Sequence, residues 1–213
     1  MAPYPKGERM LVITGTQRSG TTAVASLFAA EGFEIATQGS DEVGGYEHPI
    51  ICNFYRRFLG DETFPYDDFP VAAGDWWYSY FASMEDEVVK FSYLLMNPVF
   101  VHIWHRIRPP KYGDKFLIMM RNAEAVCKSK EAHAKRFNHD SLLLQQPSDI
   151  LRWNLNTSIR VLQQYEYPTA YLSFYDLTTQ LEGLNKCLEK LDVSYRISDD
   201  TWKKVIDPSK VHF

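Results

Sequence analysis

Met10-Leu11-Val12-Ile13-Thr14-Gly15-Thr16-Gln17-Arg18-Ser19-Gly20-Thr21-Thr22 is the stretch from which the fold can be read. It opens with a short apolar, β-branched run that ends in a glycine-containing turn, the pattern of a strand buried on both faces. Beyond the turn, Val24, Leu27 and Phe28 fall at i, i+3 and i+4, and Gly32 stands just past Glu31, where a left-handed residue closes a helix. A strand, a loop and a helix follow one another here. In such a unit the loop N–H groups and the helix N-terminus point toward one anion-sized space, a cradle for phosphate.

Apolar runs of the same kind recur at Val88-Val89-Lys90-Phe91, at Phe116-Leu117-Ile118-Met119-Met120 and at Thr169-Ala170-Tyr171-Leu172-Ser173, with helical patterns between them. That alternation predicts an α/β fold of three layers, a P-loop type with a central parallel sheet flanked by helices. The strongest helix is expected from about Asp149 to Tyr165, with Leu151, Leu155, Ile159 and Leu162 on one stripe and Ser148 as N-cap after Pro147. Another is expected to start at Thr179, spaced from Glu182 as in a capping box, and to turn Leu181, Leu184, Leu188 and Leu191 inward.

With 213 residues, the expectation is a single domain over 1–213. Lysine and arginine number 23 against 27 acidic residues, a net charge of −4 that argues against a nucleic-acid partner bound through general phosphate neutralisation. Hydrophobic content of 45 % and aromatic content of 15 % supply a core and argue against disorder. The three cysteines, Cys52, Cys127 and Cys187, form no CxxC pair, so neither a disulfide framework nor a zinc site is expected and a reducing compartment fits. The N-terminus MAPYPKGERM has no apolar signal core, and the run from Leu94 to Val101 is broken by Asn97-Pro98. No segment reaches the roughly 20 apolar residues of a membrane span, and a cytoplasmic protein is the expectation.

Charge is segregated. Between Phe58 and Val89 there is no Lys or Arg, while Asp61, Glu62, Asp67, Asp68, Asp75, Glu85, Asp86 and Glu87 sit among Trp76, Trp77, Tyr78 and Tyr80. This acidic, aromatic stretch, about 61–87, reads as an insertion: a lid, an acceptor pocket or the surface of a homodimer, alternatives that the residues leave open. Residues 101 to 136 instead hold nine Lys or Arg against Asp114, Glu124 and Glu131, around the run at Phe116.

A Walker A loop, GxxxxGK[ST], carries Lys after its second glycine; here Thr21 has that place and the cation lies earlier, at Arg18. A P-loop phosphotransferase also needs an Asp at the end of a neighbouring strand to hold Mg²⁺. The runs here end in Lys90 and in Met120-Arg121, cationic where that Asp would stand. A Mg²⁺-dependent kinase is therefore the second reading, not the first. Arg18 can fork two donors onto phosphate oxygens, with hydroxyls from Thr21 and Thr22, so no metal is required.

Gln17-Arg18-Ser19-Gly20-Thr21-Thr22 resembles the 5′-phosphosulfate loop of the sulfotransferases that use 3′-phosphoadenosine 5′-phosphosulfate (PAPS) and release 3′-phosphoadenosine 5′-phosphate (PAP). Arg121, followed eight residues later by Ser129 in RNAEAVCKS, is similar to that family's 3′-phosphate element. Gly45-Tyr46-Glu47, Lys90, Trp153 and Tyr175-Asp176-Leu177 look like landmarks of its bacterial-type members. The resemblance implies donor binding by Arg18, Ser19, Gly20, Thr21, Thr22, Arg121 and Ser129. It also implies transfer of a sulfuryl group to a hydroxyl or amine on a small-molecule, carbohydrate or lipid acceptor, with Glu47 as base, Arg18 and Lys90 steadying charge, and His48 adjacent.

Two departures stand out. Hormone and phenol sulfotransferases place a catalytic His two residues after the strand-end Lys, where this chain has Ser92, and their C-terminal glycine-rich cover has no counterpart in DPSKVHF. A protein that binds PAP or PAPS without turnover is therefore a third reading. His102 and His105 are further candidates on an expected helix. For Arg121 the bland alternative is a surface pair with Glu124, and for Glu47 a place in the first turn of a helix.

Overall fold

The computed structural model describes residues 10–33, 35, 88–137 and 147–206, without the side chains of 133, 134, 136 and 137. Glu47, His48, Cys52, the acidic aromatic stretch at 61–87 and the tail from 207 lie outside the described residues.

Four strands pair in parallel: β1 (Leu11–Gly15), β2 (Val88–Phe91), β3 (Lys115–Met120) and β4 (Thr169–Ser173), in the spatial order β2-β1-β3-β4. β1 pairs on both sides, Ile13 lying opposite Lys90 and Leu117. Because successive residues of a strand point to opposite faces, the sheet builds two cores. Val12, Val89, Phe91, Phe116 and Ile118 face α2 (Pro98–Ile107) and α4 (Ser148–Gln164). Leu11, Ile13, Val88, Leu117, Met119 and Leu172 face α1 (Thr21–Ala30) and α6 (Glu182–Lys190). The three-layer α/β arrangement is the one the alternating runs predict. β4 differs from a strand buried on both faces: it is an outer strand among the described residues, and Tyr171 stays exposed with its hydroxyl accepting from Gln163 Nε2 at 3.0 Å.

Local signals account for the helix ends. Leu27 and Phe28 of α1 are fully buried, each contributing roughly 1.5–3 kcal/mol of apolar transfer. At its C-terminus Gly32 has φ 92°, and the N–H groups of Gly32 and Phe33 reach the carbonyls of Ala29 and Phe28, the paired bonds of a left-handed cap. Asn97-Pro98, which interrupts the apolar run, is the start of α2: the Asn97 side chain accepts from Val99 N at 3.0 Å and Pro98 takes the first turn.

Two expected starts are displaced. α4 begins at Ser148 itself, with Pro147 in the cap position and no side-chain cap. Thr179 closes a helix instead of opening one. It ends α5 (Phe174–Thr179), its hydroxyl donating to the Tyr175 carbonyl at 2.9 Å, because Ser173 has already capped the chain as it leaves β4, accepting from Asp176 N at 3.2 Å. α6 then starts at Glu182 without a side-chain cap, and the expected leucine stripe is buried. α3 (Ala123–Phe137) packs on α4 through Ala123, Val126 and Leu151, and α7 (Asp199–Val205) closes the α1 face, Glu31 accepting from Ser198 N at 2.8 Å.

Part of the basic excess at 101–136 serves the fold. At the N-terminal edge of the sheet, Arg108 donates to Asp114 Oδ2 at 2.8 Å and Oδ1 at 2.7 Å, with Trp104 Nε1 also on Oδ2 at 3.2 Å, all buried. Tyr167 donates its hydroxyl to the Arg108 carbonyl at 2.5 Å. Its pKa is raised above the usual phenol value, by burial first and by the Asp114 charge second. Lys115 Nζ donates to the Asp192 carbonyl at 2.5 Å. Among the described residues no helix is long and apolar enough to cross a membrane.

Candidate functional site

β1 and β3 are neighbours, and the helices that follow them go to opposite faces: α1 covers the Leu11–Ile13 face, while α3 packs on α4 of the other. A crevice at the carboxyl ends of adjacent parallel strands whose helices diverge is where open α/β sheets bind ligands. The first loop crosses that edge. Ser19 N–H bonds back to the Thr16 carbonyl at 3.1 Å, and Arg18 takes φ 65° within the turn. A non-glycine residue in this region costs about 1–2 kcal/mol, strain of the kind that collects at binding sites.

Gly20 is the N-cap of α1 at φ 102°, and the helix starts with no side-chain cap and no acid in its first turn. No acid of the helix's own first turn competes for its first N–H groups. Within the loop, Ser19 Oγ and Gln17 Oε1 are buried without a hydrogen-bond partner among the described residues. Leaving the Ser19 hydroxyl unsatisfied costs roughly 1–3 kcal/mol, which a bound acceptor such as a phosphate oxygen would recover. A phosphate fits this donor set: uncapped N–H groups, a serine hydroxyl and a guanidinium.

The second motif meets the first here. Arg121 leaves β3 at this edge, and one of its terminal nitrogens donates to the Arg18 carbonyl at 2.8 Å, pinning the left-handed turn. Arg18 Nε in turn donates to Ser129 Oγ on α3 at 3.2 Å, which leaves the Ser129 proton available to an acceptor. Two guanidinium groups thus share one small volume. Arg121 is held below its ordinary pKa by burial and then by the Arg18 charge, and burial lowers Arg18 likewise although that residue is partly open to solvent. An anion between them relieves both effects. Glu124, the alternative surface partner weighed for Arg121, pairs with Arg152.

Arg18, Arg121 and Ser129 are therefore joined at the carboxyl end of the sheet, Ser19, Gly20 and Thr21 follow Arg18 in the same loop, and Thr22 is exposed in the first turn of α1. Thr21 turns toward β2: its hydroxyl and that of Ser92 are 2.8 Å apart, both buried. Lys90 is buried in β2, on the α1 face of the sheet, where it alternates with Phe91 of the opposite face. His102 and His105 are elsewhere. His105 stacks on Tyr165 with ring centroids 3.5 Å apart and lies edge-on to Tyr167, while His102 Nδ1 meets the Tyr165 hydroxyl at 2.7 Å. This aromatic cluster reaches Phe116 at the start of β3, the edge of the sheet away from the crevice. Sequence reading did not single out Phe174, which the fold places against both motifs; its only local signal is its position directly after the β4 run.

Beside Ser129, Lys130 is fully buried on α3, and desolvation brings its pKa down from 10.5 to about 8. The unfolded chain therefore binds the extra proton between those values, and stability should rise with pH from about 8 toward 10.5. Thermal melts across that window should show the rise, and Lys130→Met should flatten it; an unchanged slope in the variant would assign the effect to other groups.

No family model and no curated protein matches this chain. Among solved structures it is similar to the sulfotransferase domain from the curacin biosynthetic pathway, at 11 % identity and a TM-score of 0.51 over 95 % of this chain and 79 % of that one. A sulfotransferase domain from the Synechococcus PCC 7002 olefin synthase aligns over 98 % of this chain and 84 % of its own, at 14 % identity and a TM-score of 0.49. The chain has the fold of the curacin-pathway domain.

Proposed function

We propose that this protein is a sulfotransferase that moves a sulfuryl group from PAPS to an acceptor hydroxyl or amine and releases PAP. The observation that carries the reading is the joining of Arg18, Arg121 and Ser129 through two hydrogen bonds, which turns motifs 103 and 111 residues apart into one cationic site at the strand ends. The loop from Gly15 to Thr22 and the α1 N-terminus hold the 5′-phosphosulfate; Arg121 and Ser129 hold the 3′-phosphate. The shared fold supports the same reading.

In the reaction, the acceptor oxygen attacks sulfur as the bond from sulfur to the bridging phosphate oxygen breaks, and the acceptor proton passes to a base. Glu47 is proposed for that role, with His48 next to it. Negative charge grows on the bridging oxygen, where fixed cations and N–H donors do the most good. Arg18, the first-turn N–H groups and Lys90 supply them. Lys90 is suited to this because it is buried, and charge interactions are strongest where water is excluded.

The ligand preference separates this reading from a kinase. PAP, without added metal, should stabilise the protein by about 2.7 kcal/mol at a hundredfold excess over its Kd. For a domain of this size that is a rise of roughly 5–10 °C in Tm. ATP with Mg²⁺ should do little, since β2 ends in Phe91, one residue beyond the expected Lys90, and β3 is followed by Arg121, so neither strand ends in the acid that magnesium needs. Tight binding of Mg²⁺-ATP together with no response to PAP would overturn the proposal.

A further inference from the structure

We propose that Phe174 is a positioning residue for Arg121, so that a ring outside both anion-binding motifs sets the preference for a nucleotide carrying a second phosphate. The inference rests on the sulfotransferase reading above. Phe174 is the first residue of α5 and directly follows β4, the strand paired with β3. Its ring lies against the guanidinium of Arg121, whose central carbon is 4.4 Å from the ring centroid.

The same ring abuts the first loop. A Cβ placed on Gly20 would fall 2.5 Å from Phe174 Cδ2 and 2.9 Å from Cε2, so the ring fills the space that any side chain at position 20 would need. Together with its positive φ, this makes Gly20 the residue that lets the ring come so near the loop backbone. Arg121 is thus fixed at two points, over the ring and, through its bond at 2.8 Å, on the Arg18 carbonyl. A long side chain held this way loses little further freedom when it grips an anion, which is how preorganisation raises affinity.

The ring's cation–π contact is with Arg121, while its contact with Gly20 is apolar packing that leucine can also supply, so loss of the ring face should be felt chiefly by the phosphate that Arg121 holds. In titration calorimetry, Phe174→Leu should weaken PAP roughly tenfold, the usual scale of a partly desolvated cation–π contact. Adenosine 5′-phosphosulfate, which lacks the 3′-phosphate, should change by less than about twofold on the same reasoning. Phe174→Tyr, which keeps the ring face, should restore PAP affinity. As a variant of unchanged shape, 3,4,5-trifluorophenylalanine at 174 depletes the ring's negative face and should also weaken PAP selectively while Tm holds. Equal losses for both ligands in Phe174→Leu, or a fluorinated protein that binds PAP like the parent, would overturn the positioning role. A parent protein that binds neither ligand would instead overturn the sulfotransferase reading itself.

Discussion

Arg121→Ala is expected to weaken PAP by about 2–4 kcal/mol, roughly 30- to 1000-fold, because a phosphate in a partly desolvated site loses its main cation. Adenosine 5′-phosphosulfate, with no 3′-phosphate, should lose far less, so the ratio of the two affinities is the diagnostic quantity. The geometry sharpens the test. Arg121 also supports the loop by donating to the Arg18 carbonyl, so part of any loss could pass through the turn that binds the other phosphate. A loss of that kind would strike both ligands alike. Calorimetric titrations with equal losses would therefore remove Arg121 from the 3′-phosphate and leave it a scaffold for the loop. Arg121→Lys is informative alongside: it keeps the charge but not the fork, and an intermediate PAP affinity is expected.

Glu47→Gln should lower turnover by roughly 10²- to 10⁴-fold while leaving PAP affinity unchanged, since the amide keeps shape but cannot take the acceptor's proton. The basis is its place after Gly44-Gly45-Tyr46 and its resemblance to a sulfotransferase position that can act as base. His102 and His105 no longer compete for the role, being packed with Tyr165 on the far edge of the sheet. Single-turnover rates with bound PAPS separate the chemical step from product release. An unimpaired Glu47→Gln protein would transfer the proton to His48.

The sequence by itself determined the elements whose signals are local. The strand at Leu11–Gly15, the turn and helix to Ala30, the β2 run at Val88–Phe91 and the leucine stripe of α6 all follow from periodicity, β-branching and a left-handed glycine within a few residues. The two motifs proposed to bind anions were legible as motifs for the same reason, each being a short run after an apolar strand. Where two local signals competed, sequence reading erred: Thr179 has the spacing of a cap, but Ser173 is the cap the chain uses as it leaves the sheet.

What the tertiary structure alone decided is which distant residues meet. Strand order is a matter of long-range pairing, and placing β3 beside β1 is what brings Arg121 to the Arg18 carbonyl and Ser129 to Arg18 Nε. The same pairing, extended to β4, sets Phe174 between Gly20 and Arg121, a contact spanning 154 positions that no window of sequence contains. It also separates the cations by task. Arg108 and Lys115 are tied to Asp114 and the Asp192 carbonyl at one edge of the sheet, and Arg18 and Arg121 face each other at the other. Composition shows a basic segment; only the direction of the strands tells which end of it can receive an anion.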